Sequence, residues 1–166
     1  TEAGYHPYGY NFFYMDITTL VEAGTSNTLA VRLENENDSS RWYPGAGIYR
    51  NVHLIITEDV CVPMWGTQIT TPNITEEYAR VRTKLSRPEG REDELYSIET
   101  DIHDPEGRVV ATDRGTLSIY EADLFEQRID VASPALWSCE TPNLYTAVSR
   151  IYEGDTLKDE YTTRFG

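Results

Sequence analysis

Three apolar stretches punctuate the first third of the chain, separated by polar, turn-forming segments. Phe12-Phe13-Tyr14-Met15 is a short continuous apolar run and reads as a buried strand, ended by Asp16-Ile17-Thr18. Leu29, Val31 and Leu33 alternate with polar neighbours, the pattern of a half-buried strand. Ile48, Val52, Leu54 and Ile56 share one face of a third, with Arg50 its polar member, and a buried Arg50 would need a carboxylate or carbonyl partner. Between the first two stretches, Thr19-Leu20-Val21-Glu22 has capping-box spacing and Gly24 can close a turn, which predicts a short helical bridge.

From residue 59 onward the texture changes to short alternating strands separated by turns. Residues 69–74 form one candidate. Ala79, Val81, Thr83 and Leu85 point inward from a second, and Tyr96, Ile98, Thr100 and Ile102 from a third. His103-Asp104-Pro105-Glu106-Gly107 is a strong turn, followed by a short strand over 109–112. Phe125, Gln127, Ile129 and Val131 give the next inward face. Leu136 and Trp137 are placed to plug one end of the resulting sandwich. Residues 144–152 and 159–165 make a last hairpin, turning at Glu153-Gly154-Asp155. About seven strands over residues 59–166 fit an immunoglobulin-like sandwich.

Between Leu33 and Ile48 the apolar period is lost. Residues 34–40 are polar and acidic and lead into Ser40-Arg41-Trp42-Tyr43-Pro44-Gly45-Ala46-Gly47. Simple turn chemistry does not require an arginine, two large aromatics, a proline and two glycines in so short a span. Two readings stay open: a packing staple, with Trp42 and Tyr43 half-buried against a neighbouring domain, or a loop that faces a ligand.

This stretch also carries a resemblance. Gly9-Tyr10, residues 13–18, residues 27–32 and the run Ser40 to Val52 are similar to glycoside hydrolase family 2, the β-galactosidase family. The similarity continues through Trp65-Gly66-Thr67 with Thr71-Pro72, through Pro134-Ala135-Leu136-Trp137-Ser138 with Pro142-Asn143-Leu144-Tyr145, and ends on Phe165-Gly166. It implies an all-β chain: residues 1–58 as the C-terminal part of a jelly-roll sugar-binding domain, and residues 59–166 as the immunoglobulin-like β-sandwich domain. On this expectation the first strands of the jelly roll, and any native leader, lie upstream of Thr1.

The resemblance further implies that the parent enzyme hydrolyses terminal β-galactosides with retention, using two carboxylates about 5 Å apart. Those carboxylates belong to a (β/α)-barrel that begins after a Phe-Gly like Phe165-Gly166, so the chain alone is expected to be inactive. Asn35-Glu36 matches the Asn-Glu letters of the barrel's acid/base, but it falls in the jelly-roll portion. In some members an acid just before the tryptophan that matches Trp42 helps hold substrate or a metal ion. Here Ser40 and Arg41 precede Trp42, and the nearest acid is Asp38. The residues expected nearest to sugar are therefore Arg41, Trp42 and Tyr43, with Asp38 beside them, and neither a metal nor a cofactor is expected. The expected partners are the barrel, a carbohydrate substrate and a second copy of the chain, at a periplasmic or secreted location in a bacterium. The competing reading is a free-standing carbohydrate-binding or structural interaction module.

Composition narrows the partners. With 14 basic against 28 acidic residues the net charge is −14, which repels the phosphates of nucleic acid and anionic membranes. No apolar run approaches the ~20 residues of a membrane span, and residues 1–20 lack the basic start and apolar middle of a signal peptide. The chain therefore reads as soluble. Cys61 and Cys139 make no disulfide framework, and their pairing is left open. His6, His53 and His103 have no ligand spacing. Asn37-Asp38-Ser39 and Asn73-Ile74-Thr75 are formal glycosylation sequons.

Overall fold

The computed structural model describes residues 1–35, 45–86, 95–118 and 124–166. The chain divides into two compact units, Thr1–His53 and Leu54–Gly166.

All the strands among the described residues lie in the second unit: β1 (Thr67–Ile74), β2 (Tyr78–Ser86), β3 (Leu95–His103), β4 (Val109–Ser118), β5 (Leu124–Ala132), β6 (Tyr145–Glu153) and β7 (Thr156–Phe165). They form an antiparallel three-stranded sheet, β1-β2-β5, and an antiparallel four-stranded sheet, β4-β3-β6-β7. The fold is all-β. The three inward faces read from alternation are the ones turned to the core, from Ala79 to Leu85 on β2, from Tyr96 to Ile102 on β3 and from Phe125 to Val131 on β5. The strand expected over 109–112 runs on to Ser118. Gly115, a weak strand former, hides this extension in the sequence; it sits there because Phe125 leaves no room, and a Cβ at 115 would lie 2.5 Å from the Phe125 ring.

The interior has three layers. Val60, Val62, Leu85, Tyr96, Ile98 and Ile151 make one apolar cluster. Val81, Ile102, Ile129, Val131, Tyr145 and Ala147 make another. Between them lie Thr83, Thr100, Gln127 and Ser149, all buried, one from each of the four central strands and paired in register as Thr83–Gln127 and Thr100–Ser149. The Thr100 hydroxyl donates to Gln127 Oε1 at 2.6 Å and lies 3.0 Å from Ser149 Oγ. Gln127 Nε2 donates to the Asp113 carbonyl at 3.0 Å, which ties β5 to the edge strand of the other sheet. These bonds satisfy groups that would otherwise be costly to bury.

Turn chemistry closes the strands. The buried Asp104 carboxylate accepts the backbone N–H groups of Glu106 and Arg108 and the Arg108 Nε, while Gly107 takes φ +84°. Gly154, at φ +59°, supplies the left-handed residue of the two-residue β6–β7 turn. At the same end as the β6–β7 turn, residues 60–66 act as a strap. Val60 and Val62 enter the core, the Val62 N–H donates to Asp159 Oδ2 at 2.7 Å, and the strap turns into β1 through Trp65 at φ +56° and the bond from Gly66 N–H to the Pro63 carbonyl.

Residues 1–53 depart from the sequence expectation. None of the stretches 12–15, 29–33 or 48–56 is a strand; their backbone joins no ladder among the described residues. Their apolar residues are exposed, Phe12 at 68% and Leu29 at 66%. Alternation reports which side chains want cover, but a ladder also needs a neighbouring strand, and a lone strand cannot hold itself. The helical bridge is a 3-10 turn over Thr18–Leu20, one residue earlier than the capping-box spacing implied. Asp16 organises it by accepting the Thr18 N–H at 2.8 Å, and hydrogen bonds from Thr18, its hydroxyl foremost and its N–H second, lower the Asp16 carboxyl pKa. Asn27, rather than a helical hydrogen bond, ties down Glu22.

Candidate functional site

The four residues singled out for sugar contact, Asp38, Arg41, Trp42 and Tyr43, lie outside the described residues, as do Glu36 and the sequon at Asn37. Beyond them, the Tyr49 hydroxyl donates to the Gly9 carbonyl at 3.3 Å, and the Arg50 guanidinium lies 5.2 Å from the Tyr49 ring centroid. Arg50 is exposed rather than buried, so it needs no carboxylate partner. His6 stacks on Phe13 with centroids 4.4 Å apart. Cys61 and Cys139 remain thiols, and among the described residues no cluster of three metal-ligating side chains is gathered.

Several carboxylates of the sandwich are held by arginines. Across the outer face of the four-stranded sheet, Arg114, Glu99, Arg150 and Glu160 stand directly opposite one another in register. Arg150 Nε binds Glu160 at 2.8 Å, and its Nη1 binds Asp101 and approaches Glu99 at 3.6 Å. Burial disfavours the Asp101 charge, but hydrogen bonds from Thr112 and Arg150 outweigh it and hold the carboxyl below its usual value. The same bonds from Asp101 and Glu160 raise Arg150. Asp104 is lowered likewise, burial again opposing and Arg108 prevailing. On the other sheet, Arg82 lowers Glu126 and Arg80 lowers Asp130. A glycosidase acid needs its pKa raised so that it carries a proton near neutrality. These four groups are displaced the other way.

An apolar groove of about 270 Å³ lies at the end of the sandwich where β7 finishes. Its floor is Val81, Val131, Tyr145 and Phe165, and its rim is formed by Ile74, Leu136, Trp137 and Gly166. The wall carrying Leu136 and Trp137 is fixed by the backbone. Ser133 adopts φ +46°, the Tyr145 hydroxyl accepts the Ala135 N–H at 2.8 Å, and Asn143 Nδ2 donates to the Leu136 carbonyl at 3.0 Å. A tyrosine near the start of a strand, bonding back to the preceding corner, is a recurrent brace of immunoglobulin-like sandwiches. Leu136 and Trp137 do not plug the sandwich end as expected. They stay 41% and 51% exposed, because Pro134 and the bonds to Tyr145 and Asn143 hold them at the rim instead of letting them fold inward.

The model of "Glycosyl hydrolases family 2" matches residues 65–166, most of the sandwich unit and more than half of the chain. The chain belongs to glycosyl hydrolase family 2. Among curated relatives, it is 39% identical over 168 residues to Beta-galactosidase BoGH2A of Bacteroides ovatus, an alignment that covers 98% of this chain and 20% of that protein. It is 26% identical over 179 residues to a beta-glucuronidase of Bacteroides fragilis, with 98% and 25% covered. A solved family 2 member from Bacteroides cellulosilyticus superposes with a TM-score of 0.89 at 35% identity, over 97% of this chain and 23% of that one. This chain thus spans about a fifth to a quarter of the length of these relatives.

Of the family 2 features, the sequence marked the segment from Pro134 to Tyr145 but not the groove it builds. The signal was present in Pro134-Ala135-Leu136-Trp137, where two large apolar residues follow a proline in a loop. Whether such a pair is covered or left open depends on neighbours that no local pattern reports.

Proposed function

We propose that this chain is the non-catalytic β-sandwich portion of a family 2 glycoside hydrolase that cleaves terminal β-galactosides with retention. The observation that carries the reading is the 39% identity to a β-galactosidase along 98% of the chain. The ion pairs support the non-catalytic part: Asp101, Asp104, Glu126 and Asp130 are held ionised by arginines and suit bracing rather than proton donation. In this reading residues 1–58 complete a jelly-roll sugar-binding domain and residues 59–166 brace a catalytic barrel. The loop with Asp38, Arg41, Trp42 and Tyr43 borders the sugar, where an arginine supplies hydrogen bonds to hydroxyls and an aromatic face covers the apolar side of the ring. A second copy of the chain belongs to the partners of this reading too.

Relatives named β-glucuronidase favour a second reading, in which the substrate carries a carboxylate. The test is to assay the complete gene product on aryl β-galactosides and aryl β-glucuronides, with the 166-residue chain as control. Cleavage of the galactoside by the complete product, with the control inert, is expected. Preference for the glucuronide would overturn the galactosidase assignment, and cleavage of neither would overturn the hydrolase reading.

A further inference from the structure

We propose that the outer face of the three-stranded sheet is a binding strip for an anionic polysaccharide, whose uronate or sulfate groups lie along β2. This rests on the hydrolase reading given above and deepens it, since it names the kind of polymer that carries the terminal sugar. Strands β1, β2 and β5 hold six charged residues: Arg80, Arg82 and Lys84 on β2, and Glu126, Arg128 and Asp130 on β5. All six alternate with the inward positions and face out. Four cations against two carboxylates leave this face at a net positive charge within a chain of −14. The carboxylates are already engaged. Arg80 binds Asp130 through Nε and Nη2 at 2.8 and 2.9 Å, and Glu126 is shared by Arg82 and Arg128. Lys84 stands opposite Glu126 in register but makes no ion pair among the described residues. Arg82 stands directly opposite Arg128. Like charges so placed are destabilising, which leaves the face with a local demand for anions.

The neighbours of the strip identify the occupant. On β1, the register partners of Lys84, Arg82 and Arg80 are Gln68, Thr70 and Asn73, all exposed. They offer amides and a hydroxyl, which match sugar hydroxyls, beside guanidinium groups that match carboxylate and sulfate. The cations are within reach, since the side chains of Arg80, Arg82 and Arg128 stay 39%, 37% and 69% exposed. These three rows present no exposed apolar anchor of the kind through which a protein partner docks. Successive cations on β2 lie about 7 Å apart, so the strip meets charges spread along a polymer. Nucleic acid, with one charge per about 1.7 Å, brings far more anions than the strip can match and sets them against the rest of an acidic chain. The sparser charges of a polysaccharide answer to the strip itself, because salt confines each interaction to about 8 Å.

The experiment titrates the 166-residue chain and the complete gene product with polygalacturonate, dextran sulfate, neutral dextran and poly-glutamate at about 0.1 M salt. Binding of one or both anionic polysaccharides, with neutral dextran inert, is expected of both proteins. Arg82→Gln with Lys84→Gln is expected to weaken it roughly tenfold. Lys158→Gln with Arg164→Gln, the same loss of charge placed on β7, should change it by less than about twofold. Thr70→Glu serves where the double variant fails to fold: its carboxylate faces Arg82, so affinity should fall while the urea midpoint holds or rises. No binding of either anionic polysaccharide, equal binding of neutral dextran, or equal losses from the β2 and β7 variants would overturn the strip. Tighter binding of poly-glutamate would also overturn it and mark an acidic protein as the partner. None of these outcomes touches the hydrolase reading, which stands or falls with cleavage of the aryl glycosides by the complete product.

Discussion

Replacing Thr100 by valine is the most informative single change in the sandwich. The two side chains have nearly the same shape, so no cavity opens and the effect isolates hydrogen bonding. Thr100 Oγ1 holds Gln127 Oε1 at 2.6 Å and lies 3.0 Å from Ser149 Oγ, and all three residues are buried. Valine leaves the Gln127 carbonyl without a donor and Ser149 without an acceptor. A buried polar group so orphaned costs about 1–3 kcal/mol. With two groups affected, and the Ser149 hydroxyl free to rotate, the expected loss is about 2–4 kcal/mol. Combining Thr100→Val with Gln127→Leu and Ser149→Ala removes both side-chain orphans, at the cost of the Gln127 Nε2 donor to the Asp113 carbonyl. The triple variant should then lie closer to wild type than Thr100→Val alone, because a layer with fewer buried polar groups is cheaper than a half-satisfied network. Urea unfolding of the 166-residue chain, followed by far-ultraviolet circular dichroism, reads both quantities at constant slope. A Thr100→Val cost below about 0.5 kcal/mol, or a triple variant worse than the sum of its single changes, would refute the reasoning.

Three further outcomes are expected. Val60→Ala with Val62→Ala should destabilise the sandwich by about 2–5 kcal/mol, since both side chains are 5% exposed in the core; unchanged urea midpoints would show that the strap merely lies on the surface. Gly115→Ala should cost about 1–3 kcal/mol by driving a methyl into the Phe125 ring, and Phe125→Leu in the same chain should recover part of it; no recovery would place the strain elsewhere. Asp101 is lowered in the folded chain, so its contribution is present above the unfolded value near 3.8 and is lost as pH falls through the native value. Arg150→Gln should therefore flatten the acid limb of the stability curve below about pH 4, where unfolded aspartates titrate, and a slope equal to wild type would mean that Arg150 does not hold Asp101 in solution.

Much of the sandwich was legible because each central strand alternates with one buried face. The rule placed Thr83, Thr100 and Gln127 inward with their apolar neighbours, although it could not show that they meet across the two sheets. It was weakest at Gly115, where a residue unsuited to strands is required by a contact with Phe125, ten residues further along and in the facing sheet. In the first unit the same alternation named strands that do not form, because side-chain period carries no information about whether a neighbouring strand exists to accept the hydrogen bonds. The residues expected to touch sugar were legible only through resemblance. The groove was not legible at all, since its shape depends on Ser133, Tyr145 and Asn143 acting together on a loop.

The charged row on the outer sheet bears on how the chain finds its strand order. In the native sequence β4-β3-β6-β7, Arg114, Glu99, Arg150 and Glu160 alternate in sign from one edge to the other. Setting β3 directly beside β7 in the same alignment would oppose Glu99 with Glu160, and setting β4 beside β6 would oppose Arg114 with Arg150. Like charges directly across a strand pair are destabilising, so the row penalises both mispairings while the native neighbours attract. Four side chains, exposed at the two edges and half-buried in the middle, that add little to stability as single surface pairs thereby act as a proofreading code for sheet assembly.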